Sequence, residues 1–304
     1  MIYRPEPILR PMVWGSELWV LSGYPERMSV IAGGPCNGMT VKELVSAQKE
    51  ALVGRECLRR FGEEFPLLIK FLDVHAPLSI QVHPSEEFAM SRQGLHGKTE
   101  MWYVAGAEPG TELLAGFSRD ITLREYEERV ADGTITDVIA HHKISPGDVF
   151  FLPPGRVHAL LPGSYVAEIQ QSSDSTYRIW DYGRPGLDGK LRPLHTELAA
   201  EVLDYKAHDS YRTSYEPAPD KEVHLVDCDY FKTSLLELTA PYTKDLSALD
   251  SFLIVICLEG SGRLHCGGDV QSLSANGCLL IPASESAAGF VPDADGLKLL
   301  LCHL

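Results

Sequence analysis

Gln81 and His83 stand two apart in "LSIQVHP" (78–84), a stretch whose apolar alternation predicts a strand. Strand side chains alternate faces, so the amide and the imidazole share one face while Val82 points the other way. Glu100, in "KTEMWYV", opens a strand able to pair with this one, and the Met101, Trp102 and Tyr103 that follow are residue types that bury. A carboxylate in such surroundings is costly unless it is paired or metal-bound. In "GDVFFLPPGRVHAL" (147–160), Gly147 starts a strand, Pro153 and Gly155 make a turn, and His158 returns to the interior. A lone strand histidine is ordinary, but two histidines, a glutamate and a glutamine form a mixed N/O set that suits zinc, and less selectively iron or manganese. No all-cysteine set of a structural zinc site is present, so an open, catalytic position is expected.

Charged residues cluster near these four in sequence. Lys98 precedes Glu100 by two and so shares its face, bringing positive charge to a place where an anionic substrate would need it. Lys70 sits in the apolar run "LLIKFLD", where an edge lysine blunting sheet pairing is the plainer reading. In "EIQQSSDSTYR", Glu168 and Asp174 are six apart, hence on one face if extended, and Arg178 follows four later. A carboxylate here can serve as a general base if desolvation raises its pKa, and the sequence leaves open which of the two it is. His96 reads as a loose loop residue, and His141 and His142 as solvated side chains of an exposed insertion.

The elements that must carry these groups are mostly strands. "PLLIKFLDV", "LSIQVHP", "EMWYVAGA" and "TELLAGF" are short strand candidates between turn residues. Helical spacing marks 40–62, with Thr40 as N-cap and Glu43 completing a capping box, and helices are also expected at 122–133 and 195–206. Strands return after 222. "GDVFFLPPGRVHAL" and "GCLLIPASESAAGF" form a weak internal repeat whose second copy lacks the histidine. The chain therefore reads as mainly β, with two barrels and helices packed around the first. The expected domains are 1–206, bearing the site, and a metal-free barrel over 207–304.

A net charge of −15 argues against a nucleic-acid backbone or an anionic membrane as partner. The seven cysteines include no Cys-x-x-Cys pair and read as reduced thiols. No apolar run has the length of a signal peptide or of a membrane span, so a cytoplasmic protein is expected.

Gly147, Pro153, Gly155 and His158 resemble the second motif of the cupins, and "FPLLIKFLDVHAPLSIQVHP…GKTEMWYV" with "EIQQSSDSTYRIWDYGR" resembles the type I phosphomannose isomerases, particularly their short bacterial form. The likeness covers about residues 10–206 by motif and the rest by layout. It implies two cupin-type jelly-roll barrels and one zinc ion held by Gln81, His83, Glu100 and His158. The implied reaction is the interconversion of mannose 6-phosphate and fructose 6-phosphate through an enediolate, with a phosphorylated hexose as the partner molecule. Arg178 matches an arginine needed for activity, Glu168 and Asp174 match acids of the same pocket, and Lys98 and Lys70 match substrate-binding lysines. Ser16 and Glu17 depart from the family's N-terminal pattern, which weakens a site role for 14–22, and Leu160 replaces an aromatic. A metal-stabilised cupin that binds a sugar phosphate as a regulator is the alternative. An oxygen-dependent cupin would more usually carry His-x-His where this chain has Gln81 and His83.

Overall fold

The structure, a computed structural model, describes all 304 residues. It divides into two compact units, one of residues 9–18 and 70–213, the other of 1–8, 19–69 and 214–304. All of the candidate site residues fall in the first.

In the first unit a five-stranded antiparallel sheet runs in the order Tyr177–Trp180, Ile80–Val82, His158–Leu160, Glu112–Phe117, Ile139–Lys143. Its register sets Arg178 opposite Gln81, and Gln81 opposite His158, so three polar residues form one row across three strands. A larger sheet places Val149–Leu152, Glu100–Ala107, Ser164–Gln171 and Leu67–Val74 side by side. There Gln170 lies opposite Glu100, and Glu168 opposite Trp102. The two sheets face each other over a core that includes Leu72, Val82, Trp102, Leu114, Phe150 and Ile179. Because directly opposite residues of paired strands share a face, each sheet contributes one polar patch to an otherwise apolar interior.

Six α-helices accompany the strands: α1 (Val41–Gln48), α2 (Glu50–Val53), α3 (Arg55–Phe61), α4 (Glu86–Gln93), α5 (Leu123–Asp132) and α6 (Thr196–Val202). The expected cap is formed, with Glu43 N donating to Thr40 Oγ1 at 3.2 Å and Thr40 N to the Glu43 carboxylate at 2.8 Å. The single helix expected over 40–62 is instead three short ones. Lys49 and Gly54 take positive φ of 50° and 86°, and a Cβ at residue 54 would lie 2.2 Å from the Asp250 carbonyl oxygen. Glycine is what allows that approach.

These three helices also group with the C-terminal strands, not with the site-bearing unit as the 1–206 division supposed. The Ala51 and Leu52 carbonyls accept from Ser284 N and Ala283 N, each at 2.9 Å, and the Phe65 ring packs on Phe252 with centroids 4.8 Å apart. Helices α4, α5 and α6 remain with the N-terminal strands. Helix α4 has no counterpart in the sequence reading, although Ser85 caps it and Gly94 ends it in the left-handed conformation.

In the second unit, Glu222–Asp227, Lys232–Leu238, Ala287–His303, Leu253–Cys266 and Asp269–Ser274 follow one another in a sheet around a core of Leu236, Val255, Leu279 and Phe290.

Candidate active site

The Nδ1–H of His83 donates to the Ser175 carbonyl at 3.0 Å, and that of His158 to the Arg156 carbonyl at 2.8 Å. Each ring is thereby fixed with Nε2 bearing a lone pair. The two Nε2 atoms stand 3.1 Å apart, that of His158 is 3.2 Å from Glu100 Oε1, and that of His83 is 3.4 Å from Glu100 Oε2. The Gln81 amide completes the group 3.3 Å from His158 Nε2, and a half-turn presents its oxygen to the same point.

Lys98 Nζ is the cation within reach of this group, 3.2 Å from His83 Nε2 and 2.7 Å from Glu100 Oε2, while the His158 side is open to a metal ion. Burial pushes the His158 pKa down to about 3 and lowers that of His83, which Lys98 lowers further. Burial alone would raise Glu100, but Lys98 and the two histidines hold its carboxyl well below the usual range. Both Glu100 oxygens are buried without a directed hydrogen bond. A tetrahedral ion with bonds of about 2.0–2.1 Å sets its ligands ~3.3 Å apart. The spacings fit, and His83, Glu100 and His158 can hold a metal with one ligand atom each.

Behind this group the charges alternate. Lys98 Nζ lies 2.7 Å from Glu100 Oε2 and 3.7 Å from Glu168 Oε1, and Lys70 Nζ lies 2.9 Å from the same Glu168 oxygen and 3.8 Å from Glu17 Oε1. Trp102 Nε1 donates to Glu168 Oε2 at 2.8 Å. Lys70 is buried, not an edge residue. Burial would lower its pKa, and Glu168 with Glu17 outweigh that and raise it. The doubt about residues 14–22 does not extend to Glu17, which is buried and joins this chain of charges together with Arg10 at 3.3 Å.

Gln81 also lines a cavity of about 360 Å³ whose wall includes Ser79, Asp174, Arg178, Arg192 and His195. Asp174 is exposed there, whereas Glu168 lies buried among the lysines. The structure thus separates the two acids that the sequence put on one face. Arg178 spends Nη1 on the Pro193 carbonyl at 3.0 Å, while its Nε is buried and unpartnered. Arg192 and His195 were not foreseen, since they lie in the Pro/Gly-rich "GRPGLDGKLRPLH", where no periodicity points to a site.

The remaining histidines sit apart. His96 is not loose: Nδ1 is 2.7 Å from Glu86 Oε1, and its carbonyl accepts from Ser173 and Ser175 hydroxyls. His141 is exposed and pairs with Glu112, but the Ile139–Lys143 segment is a strand, and His142 donates to the Ala115 carbonyl at 3.0 Å.

Residues 7–118 match the family model "Phosphomannose isomerase type I, catalytic domain". The chain is 30% identical over 296 residues to the mannose-6-phosphate isomerase ManA of Bacillus subtilis, covering 91% of each protein. It is 30% identical to the mannose-6-phosphate isomerase of Streptococcus mutans, over 94% of this chain and 88% of that one. The chain belongs to the type I phosphomannose isomerases. A crystal structure of the mannose 6-phosphate isomerase from Bacillus subtilis superimposes with a TM-score of 0.90 at 28% identity, covering 100% of this chain and 99% of that one. The mainly β architecture is accordingly the cupin fold, and this family member is an isomerase.

Proposed function

We propose that this chain interconverts mannose 6-phosphate and fructose 6-phosphate, with one zinc ion per chain held by Gln81, His83, Glu100 and His158. The observation that carries the reading is the buried convergence of two Nε2 lone pairs and the Glu100 carboxylate within 4.8 Å of one another, in a chain whose relatives are mannose-6-phosphate isomerases. Bound there, zinc would act as a Lewis acid on the negative charge that develops at the sugar oxygens.

The cavity supplies the rest. Gln81 is its point of contact with the metal group, and Arg178 and Arg192 are its cationic groups, suited to a phosphate, with the neutral His195 ring beside them accepting from Arg178 N at 3.2 Å. Asp174 is the acid that opens on the cavity, and we assign it the proton transfer between C2 and C1 through an enediolate. Glu168 is assigned an anchoring role, holding Lys70 and Lys98 in place. Lys98, between Glu168 and Glu100, keeps a positive charge near the reacting carbons. The seven free cysteines suit a reducing compartment, so a cytoplasmic location belongs to the proposal. No helix is long and apolar enough to cross a membrane.

The test is turnover of mannose 6-phosphate in heavy water by protein of measured metal content. Fructose 6-phosphate labelled at C1 is expected, and Asp174→Asn should lower kcat by about 10²–10⁴-fold with the metal retained. Absence of product from any phosphorylated or free aldohexose would sink the reading. Unlabelled product would leave the isomerase standing but remove a base that exchanges with solvent.

A further inference from the structure

We propose that Asp181 is a positioning residue for the phosphate end of the substrate, holding the Arg192 guanidinium in the pose that receives the phosphate. The inference rests on the reading of the cavity as a sugar-phosphate site. Asp181 directly follows the strand Tyr177–Trp180 that bears Arg178 and is 5% exposed. Its Oδ2 accepts from Arg192 Nε at 2.7 Å and its Oδ1 pairs with Arg192 Nη2, a two-pronged fork. The same Oδ1 accepts from Arg184 Nε at 3.1 Å.

The segment between Asp181 and Arg192 has little else to fix it. It contains Gly183, Gly186 and Gly189, exposes Leu187 and Leu191, and folds back through a bridge between Pro185 and Leu191. Its far end is tied by Arg178 Nη1 to the Pro193 carbonyl at 3.0 Å and by His195 N to the Arg178 carbonyl at 2.7 Å. Asp181 therefore fastens the loop to the strand at the residue that also faces the cavity.

Charge gives the fork its purpose. Arg178 and Arg192 line one cavity, and like charges so placed repel. Burial and the neighbouring Arg192 both lower the Arg178 pKa, while Asp181 opposes them. A buried carboxylate that occupies one edge of Arg192 prevents that side chain from swinging to solvent. The fork uses Nε and Nη2 and leaves Nη1 for an incoming phosphate oxygen. Without Asp181 the two arginines would still be present, but Arg192 would have to be ordered by the substrate itself, at the expense of affinity.

The experiment compares the metal-loaded enzyme with Asp181→Asn, which keeps the shape and removes the charge. KM for mannose 6-phosphate is expected to rise at least tenfold with kcat within twofold and metal content unchanged, and the inhibition constant of inorganic phosphate should rise by the same factor. In an Arg192→Gln background, Asp181→Asn should change KM no further. A fall in kcat at constant KM, or multiplying effects of the two substitutions, overturns the proposal. Should Asp181→Asn fail to fold, Arg192→Lys, at a partly exposed position, removes the fork while keeping the charge. It is expected to reproduce the KM rise, and a wild-type KM overturns the proposal. If the wild-type protein does not turn over any hexose phosphate, the function assigned to the cavity fails separately. Calorimetry with inorganic phosphate then still decides: weaker binding in Asp181→Asn supports the positioning role, and equal or absent binding in both proteins overturns it.

Discussion

With Nδ1 committed to the Arg156 carbonyl, His158 has only Nε2 to offer, and three partners crowd that atom at 3.1–3.3 Å: His83, Glu100 and Gln81. Replacing it with alanine removes one proposed ligand and leaves Glu100 Oε1 without its neighbour at 3.2 Å. His158→Ala is expected to hold less than about a tenth of the wild-type metal and to keep its circular dichroism spectrum, as the loss of one ligand of three or four predicts. His141→Ala, on the exposed edge, serves as control and should retain full metal; full occupancy in His158→Ala would refute the ligand set. That Gln81 and His83 both reach His158, and that Lys98 reaches Glu100, was legible because residues two apart in a strand or its extended flank keep a common face. Asp181 and Arg192 were not, because they pair across an irregular Pro/Gly-rich loop where no periodicity applies, and Glu17 was not, because its partner Lys70 lies across the fold. The separation of Asp174 from Glu168 has a similar cause: strand Ser164–Gln171 ends before Asp174, so alternation no longer governs it.

At the level of elements, the turn between Leu152 and His158 does for the site what alternation does within a strand. Gly155 has φ of 85°, its amide donates to the His83 carbonyl at 2.9 Å, and its carbonyl accepts from Asp204 N at 2.9 Å. The turn thereby fixes the backbone of one proposed ligand, His83, three residues before it delivers the other, His158. A Cβ at this position would stand 2.7 Å from the Val202 carbonyl oxygen. Gly155→Ala is therefore expected to cost about 1–3 kcal/mol in urea unfolding and to weaken metal binding in a chelator competition, since relief of the clash shifts both histidines. Unchanged metal affinity would show that the turn does not position the site. The same contrast explains what was legible among the helices. The Thr40 capping box depends on four adjacent residues and could be read directly, whereas the break at Gly54 is set by Asp250, nearly two hundred residues away.

For the whole molecule, the buried histidines couple acidity to folding. An unfolded histidine titrates near 6.5, whereas burial holds folded His158 down at about 3 and lowers His83 as well. Between those values the unfolded chain binds protons that the folded one does not, so metal-free protein loses stability as pH falls below about 6.5, by up to ~1.4 kcal/mol per unit for each such group. Glu100 acts in the same direction further down: its carboxyl is held below the ordinary 4.5, so its contribution is present above that value and lost as pH falls toward the folded one. Chelator-treated protein should thus be less stable at pH 5.5 than at 7.5 by about 1–3 kcal/mol in urea, and equal stability would contradict the burial of neutral imidazoles. The metal-loaded protein should behave differently at the site itself. Because the folded ligands take up protons only at far lower pH, protons compete poorly for the intact site at pH 5.5. The ion, which stabilises only the folded chain, should leave when the fold does. In an acid titration, metal release and loss of native circular dichroism are expected to superimpose; release that precedes unfolding would mean that the histidines accept protons at Nε2 in the folded protein, against the lowering of their pKa by burial.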